Sequence, residues 1–305
     1  MKRLSFTLLV VENNDFQAQQ VISARAAADR LGIQLEVIHT EHNAIAQGEH
    51  VLKLLQSTPL VRPDGILFEP VGTPLAQGAR MAASAGVGWV VLNREFVDYL
   101  SGLRQQHPTP MFSVSSSHTE VGRIQGEQIG RLLPKGGCAL YIQGPSDNEA
   151  SVCRARGMQA AKPANVEVRS LKGVWTEQSA CQAVSSWLSL SIAKELVLGV
   201  VAAQNDAMAL GARRAFQELA TGATRERFLH LPFIGCDGLP STGQAAVRSG
   251  LLTATVVIPP NAGRAVEVLA SALRNGQQPA ECILTEPTSY PALPSLKPTV
   301  ETRLR

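Results

Sequence analysis

Asparagines, acids, arginines and aromatics recur just past the short apolar runs of this chain. They are Asn13, Asn14 and Phe16; Glu69; Asn93, Arg94 and Glu95; Ser116, Ser117 and His118; Ser146 to Arg154; Trp175; Gln204, Asn205 and Asp206; and Asp237. Their shared chemistry is the recognition of hydroxyl groups. An asparagine donates and accepts, a carboxylate accepts from two hydroxyls, and a guanidinium donates a planar fork. An aromatic face covers the apolar C–H face of a sugar ring. Capping of a following helix is the plainer role for any one Asn, Asp or Ser after a strand, and Asp206 and Thr119 are expected to be caps. Arg94, Arg154 and Trp175 have no capping role, so the set as a whole points to the capture of a small polar solute.

Covalent chemistry finds no support. Ser115-Ser-Ser-His118 lacks the G-x-S-x-G turn that exposes a nucleophilic serine. Phosphate and dinucleotide loops and the H-E-x-x-H metal motif are missing as well. Gly86-Val-Gly88 lacks a third glycine and precedes a strand instead of following one. No catalytic residue, no metal site and no cofactor is expected, and His118 is expected to line a chain crossing between lobes.

Elements that could position these side chains alternate along the whole chain. Val/Ile/Leu runs at 4–11, 33–39, 65–69, 89–93, 111–115, 138–142, 166–171, 196–203, 231–236, 252–257 and 281–285 suggest buried parallel strands. Between them, Ala-rich stretches at 16–31, 43–57, 73–85, 119–133, 149–161, 177–190, 206–220, 240–249 and 261–275 show helical spacing. Parallel strands need helical crossovers, so the fold class is α/β with doubly wound sheets. Eleven strands exceed one ordinary sheet of about four to six, which predicts two Rossmann-like lobes. In such sheets ligands bind outside the carboxyl ends of the strands, where the polar residues fall. The stretch at 97–110 reads as an irregular insertion, and the Pro-rich tail at 286–305 as a surface wrap. Trp89 and Trp187, inside a strand and a helix, are expected in the core.

The bulk properties agree. The 305 residues are 45% hydrophobic, 17% charged and 5% aromatic with a net charge of +3, an ordinary globular composition. Basic residues are scattered, so nucleic acid is not an expected partner. No apolar run approaches the roughly 20 residues of a membrane helix. The five cysteines, 138, 153, 181, 236 and 282, are odd in number and lack paired spacing, which suggests buried thiols. Met1-Lys-Arg3 and the apolar run after it lack the small-residue cleavage site of a signal peptide, so a first buried strand is the expected reading.

Several blocks carry a family resemblance. Ala203-Gln-Asn-Asp-Ala-Met-Ala-Leu-Gly-Ala212 and Ile234-Gly-Cys-Asp-Gly-Leu-Pro240 resemble blocks of the ribose-binding branch of the type I periplasmic binding proteins. Val10-Val-Glu-Asn-Asn-Asp-Phe16, Val90-Val-Leu-Asn-Arg94, Cys153-Arg-Ala-Arg-Gly157 and Gly250-Leu-Leu-Thr-Ala-Thr-Val256 follow in that family's order, so the resemblance runs from about 4 to 288. It implies two lobes, 1–116 plus 259–286 and 117–258 plus 287–305, joined by a three-crossing hinge that closes on ligand. It also implies a sugar or polyol as ligand, delivery to an ABC transporter permease, a monomer, and a periplasmic location. The alternative function is sensing through a membrane kinase; the alternative location, in the absence of a convincing signal peptide, is the cytoplasm. A LacI-type DNA-binding regulator is not expected, because the first strand starts at about residue 4.

Carried over residue by residue, the resemblance assigns Asn14, with Phe16 as a ring wall, and Asn93 with Arg94 as a hydroxyl-gripping pair. It also assigns Arg154, Trp175 as a second aromatic wall, Asn205, and Asp237 as a hydroxyl-gripping carboxylate. Three positions depart from the ribose pattern: Asn93 replaces an aspartate, Glu69 an asparagine and Ile258 a glutamine. Ribose itself is therefore not the expected ligand; another sugar or polyol is, and one carrying nitrogen is open. A buried Glu69 needs a donor, either Arg94 or a ligand amine or hydroxyl.

Overall fold

The computed structural model describes residues 3–11, 14–72, 75–190, 196–219 and 221–298. Asn13 and positions 73, 74 and 220, which the sequence reading includes in a loop and two helices, lie outside them. The chain divides into two compact units, one formed by the described residues up to Ser116 with Pro259–Thr285, the other by Ser117–Ile258 with the described residues from Glu286 on. It passes from one unit to the other three times.

The first unit is built from β1 (Ser5–Val10), α1 (Asp15–Leu31), β2 (Gln34–His39), α2 (Ala44–Gln56), β3 (Gly65–Phe68), α3 (Ala76–Ala85), β4 (Gly88–Leu92), α4 (Leu100–Gln106) and β5 (Met111–Ser116). Its sheet runs β11-β5-β4-β3-β1-β2, with β11 (Cys282–Thr285) supplied late in the chain. Every pairing is parallel. β3 and β4 are buried along their whole length, as strands covered on both faces must be. On one face lie Ala24, Ala27 and Ala28 of α1 with Leu269 from the late helix Asn261–Asn275. On the other lie Val51, Leu55, Ala79 and Ala82 of α2 and α3. Leu269 packs directly on two sheet glycines: a Cβ at Gly65 or Gly88 would meet its methyls at 2.4 or 2.5 Å.

The second unit contains α5 (His118–Leu132), β6 (Gly137–Gln143), α6 (Glu149–Ala161), β7 (Val166–Lys172), α7 (Glu177–Leu188), β8 (Leu198–Ala203), α8 (Asp206–Leu219), α9 (Gly222–Leu229), β9 (Phe233–Asp237), α10 (Gly243–Arg248) and β10 (Ala254–Val257). The late helix Asn261–Asn275 of the first unit is then α11, and β12 (Thr288–Tyr290) completes the second sheet, in the order β12-β10-β9-β8-β6-β7. α5 and α6 approach backbone to backbone. A Cβ at Gly122 would fall 2.0 Å from Arg154 O, and one at Gly157 would fall 2.0 Å from Thr119 O. That contact fixes the stretch of α6 that carries Arg154.

Three expectations change. The stretch at 97–110 holds α4, whose Leu100 and Leu103 are buried; seven residues are too few to show a helical period. The tail after 285 forms an antiparallel edge strand, β12 on β10, so the second sheet is not wholly parallel. Leu296 then enters the core, so this segment does more than wrap the surface. Thr119 is not a cap, because Ser117 accepts from Glu120 N to cap α5. Trp89 and Trp187 do pack in the cores, edge-on to Phe68 and Phe228 respectively. Cys138, Cys181 and Cys236 are buried thiols, with Cys153 and Cys282 half-buried.

Candidate ligand-binding site

In both sheets the order of strands reverses beside the first strand, at β1/β3 and at β6/β8. Crossovers leave in opposite directions there and open a crevice beyond the carboxyl ends of the strands. The residues assigned from sequence are divided between the two reversals, and each half is a connected set of side chains.

In the first unit, Asn14 caps α1 by accepting from Gln17 N at 2.9 Å, and half-buried Phe16 is the second residue of that helix. Glu69 directly follows β3. Its Oε2 accepts from Gln17 Nε2 at 2.7 Å and its Oε1 from Asn93 Nδ2 at 2.9 Å. Gln47 fixes the main chain around it, donating to Glu69 O and accepting from Val71 N. Arg94 donates to Asn93 O at 3.1 Å and Pro70 O at 3.3 Å. Of the partners open for Glu69, the hydrogen bonds found within the chain come from two amides, not from Arg94.

In the second unit, Arg154 is 5% exposed. Its Nη1 donates to Gln204 O and lies 3.9 Å from Asp237 Oδ1. Its guanidinium carbon stands 5.5 Å from the centre of the Trp175 ring, within reach of a cation–π attraction. Trp175 lies over Gly144, where a Cβ would come within 2.3 Å of the indole. Asn205 donates to Trp175 O at 2.8 Å and caps α8 through Met208 N. Ile258, the third departure from the ribose pattern, is a core side chain at 1% exposure and brings no polar group.

Asp206 is therefore not the cap. Its carboxylate crosses to β9 and β10, accepting from Gly238 N at 2.8 Å and Thr255 Oγ1 at 2.7 Å. Gly235 and Gly243 leave it room, since a Cβ on either would approach its oxygens to 2.3 and 2.0 Å. Burial, and then the negative charge of Asp237, hold its carboxyl well above the usual carboxylate range. Burial also raises the Cys236 thiol and the Tyr141 hydroxyl.

Backbone conformation singles out the same positions. Five described residues other than glycine have positive φ, and three of them are assigned site residues: Asn93 at 58°, Trp175 at 66° and Asp237 at 97°. Such conformations are costly for a tryptophan and persist where the surroundings impose them, commonly at functional sites. Sequence reasoning left out Gln17 and Gly144 and gave Gln204 no supporting role. Gln17 sits inside a helix, where nothing marks it as a partner of Glu69. Gln204 stands among the strand-end residues, yet its amide is spent on Gly144 N, Tyr141 Oη and Ser151 O. Gly144 matters only through the ring above it. Among the described residues no group of three or more His, Cys, Asp or Glu could hold a metal ion, and no helix is long and apolar enough to cross a membrane.

Comparison with known proteins gives this arrangement a context. The chain is 27% identical over 266 residues to the ribose import binding protein of Salmonella typhimurium, covering 86% of this chain and 82% of that one. It superposes with a TM-score of 0.80 on a periplasmic solute binding protein of an ABC transporter from Actinobacillus succinogenes with bound D-allose, at 18% identity over 94% of this chain and 97% of the other. A fructose binding periplasmic domain of a hybrid two-component system matches with a TM-score of 0.76, at 17% identity over 94% and 90% of the two chains. The family model described as a periplasmic binding protein domain matches residues 6–278, and the chain belongs to that family.

Proposed function

We propose that this protein captures a small polyhydroxylated solute, a sugar or polyol, and delivers it to an ABC transporter in the periplasm, acting as a binder and not as an enzyme. The observation that carries the reading is the second-unit cluster. A buried arginine stands between a carboxylate and an indole face, and two of these three residues are held at positive φ. A carboxylate and a guanidinium side by side suit adjacent hydroxyls, and the indole suits the C–H face of a ring. In this reading Asn14, Phe16, Glu69, Asn93 and Arg94 supply one half of the ligand's partners, and Arg154, Trp175, Asn205 and Asp237 the other. Binding is then a population shift toward the form in which both halves engage, with bending at the three chain crossings.

The same cluster would serve a sensor, and the likeness to the binding domain of a two-component system keeps that second reading in view. Likeness to a ribose import binding protein over most of both chains favours transport. A thermal-shift screen against pentoses, hexoses, inositols and amino sugars tests the ligand class. A ligand at 100 times its dissociation constant stabilises the fold by about 2.7 kcal/mol, a clear rise in Tm. A flat response across all polyols would remove the sugar assignment. Uptake of the labelled ligand, lost when the gene is deleted, separates delivery from sensing.

A further inference from the structure

We propose that Glu69 makes the first-unit half of the site selective for a ligand bearing a protonated amine, an aminated sugar or polyol, over its all-hydroxyl counterpart. The inference deepens the reading of this protein as a sugar or polyol binder and rests on it.

It starts from a balance of donors and acceptors. Glu69 directly follows β3, next to the strand-order reversal. Both of its oxygens accept from neutral amides, Gln17 Nε2 and Asn93 Nδ2. Those bonds orient the carboxylate without neutralising it. Arg94, the nearest cation in sequence, donates to the carbonyls of Asn93 and Pro70. The orientation of Asn93 is fixed by the same contact, because an ionised carboxylate takes only donors and so requires the NH2 side of the amide. Asn93 Oδ1 is thereby turned the other way, and it is buried with no hydrogen-bond partner within the chain.

The cluster therefore offers a carboxylate already oriented by amides and a buried carbonyl oxygen that needs a donor. A hydroxyl brings one proton and leaves the negative charge uncompensated. An ammonium brings three donors, no acceptor and the opposite charge. Hydrogen bonds between ionised partners are roughly twice as strong as neutral ones. Gln47, which ties down the main chain at Glu69 O and Val71 N, keeps the carboxylate in place whether or not a ligand is present.

The test is a calorimetric comparison of matched pairs on the full chain: glucosamine with glucose, galactosamine with galactose, mannosamine with mannose, and an aminated inositol with its parent inositol. The best amine is expected to bind at least tenfold tighter than its hydroxyl partner. Glu69→Gln, which is nearly isosteric, should bring that ratio close to one, whatever it does to the affinity for the neutral member. Equal or tighter binding of the neutral member by the wild type, or an unchanged ratio in Glu69→Gln, overturns the proposal and leaves the sugar reading standing. Absence of binding by every pair overturns the sugar reading itself and this proposal with it. Should Glu69→Gln fold poorly, Glu69→Asn provides a second neutral amide at the same position.

Discussion

At the strand ends of the first unit an acid is held by neutral amides, with Gln17 and Asn93 on Glu69. At those of the second, a buried guanidinium stands beside Asp237 and the Trp175 ring, and a second acid, Asp206, is sunk beneath them. The two sheets have the same strand order and reverse at the same place. Topology therefore decides where polar groups gather, and the side chains decide what they demand. The first unit offers an oriented negative group; the second offers charges that already lean on one another. On the proposed reading, the first chooses among ligands and the second grips any that carries adjacent hydroxyls.

The largest expected effect tests how the two units are framed. Gly157→Ala places a Cβ 2.0 Å from a backbone carbonyl of α5, whereas Gly263→Ala in α11 meets the Ser23 hydroxyl at 2.2 Å and a backbone carbonyl, that of Ser23, only at 2.9 Å, a far milder overlap. A side chain can rotate and a helix backbone cannot. Alanine gains about 1 kcal/mol of helix propensity at either site. Gly157→Ala should still lose about 3 kcal/mol net, and Gly263→Ala should stay within about 1 kcal/mol of wild type. Urea unfolding measures both, and equal losses would erase the distinction between the frames.

Next comes the grip. Asp237→Asn keeps a residue that tolerates positive φ and removes the charge beside Arg154. Affinity for a neutral sugar should fall by about 1.5 kcal/mol or more, over tenfold, a larger loss than Glu69→Gln produces. Calorimetry showing the reverse order would exchange the roles of the two units.

The smallest effect concerns Asp206. Its folded carboxyl titrates above the ordinary value of 3.8, so between those two values the folded state binds more protons than the unfolded one. Stability from this group is complete below the unfolded value and is lost as pH rises through the folded one, by at most about 1.4 kcal/mol per pH unit. Asp206→Asn, which mimics the protonated acid, should flatten the fall in Tm as pH rises above the ordinary carboxylate value. Parallel curves for the two proteins would show that the buried acid does not govern the slope.

Much of this was legible in the sequence, for reasons that particular residues make plain. Runs such as Val90-Val-Leu92 announce strands covered on both faces, and the polar residues after them fall at the carboxyl ends because the crossovers demand it. α4 escaped because seven residues next to His107 and Pro108 show too little period, and β12 because three residues show none. Asp206 was misread because an acid opening a helix looks like a cap from nearby residues alone. Its true partners, Gly238 and Thr255, lie far along the chain, and only the register of β9 and β10 brings them to it. The bond from Gln17 to Glu69 is hidden for the same reason.

Leu269 on α11 sits directly over Gly65 and Gly88, and β11 closes the edge of the same sheet. The unit begun first is thus finished late. During synthesis, β1 to β5 emerge with one face covered only by α1 and one edge unpaired while the whole stretch from Ser117 to Ile258 is being made. Domains generally fold in order of emergence; here the early half completes one of its two core faces only when the late segment arrives.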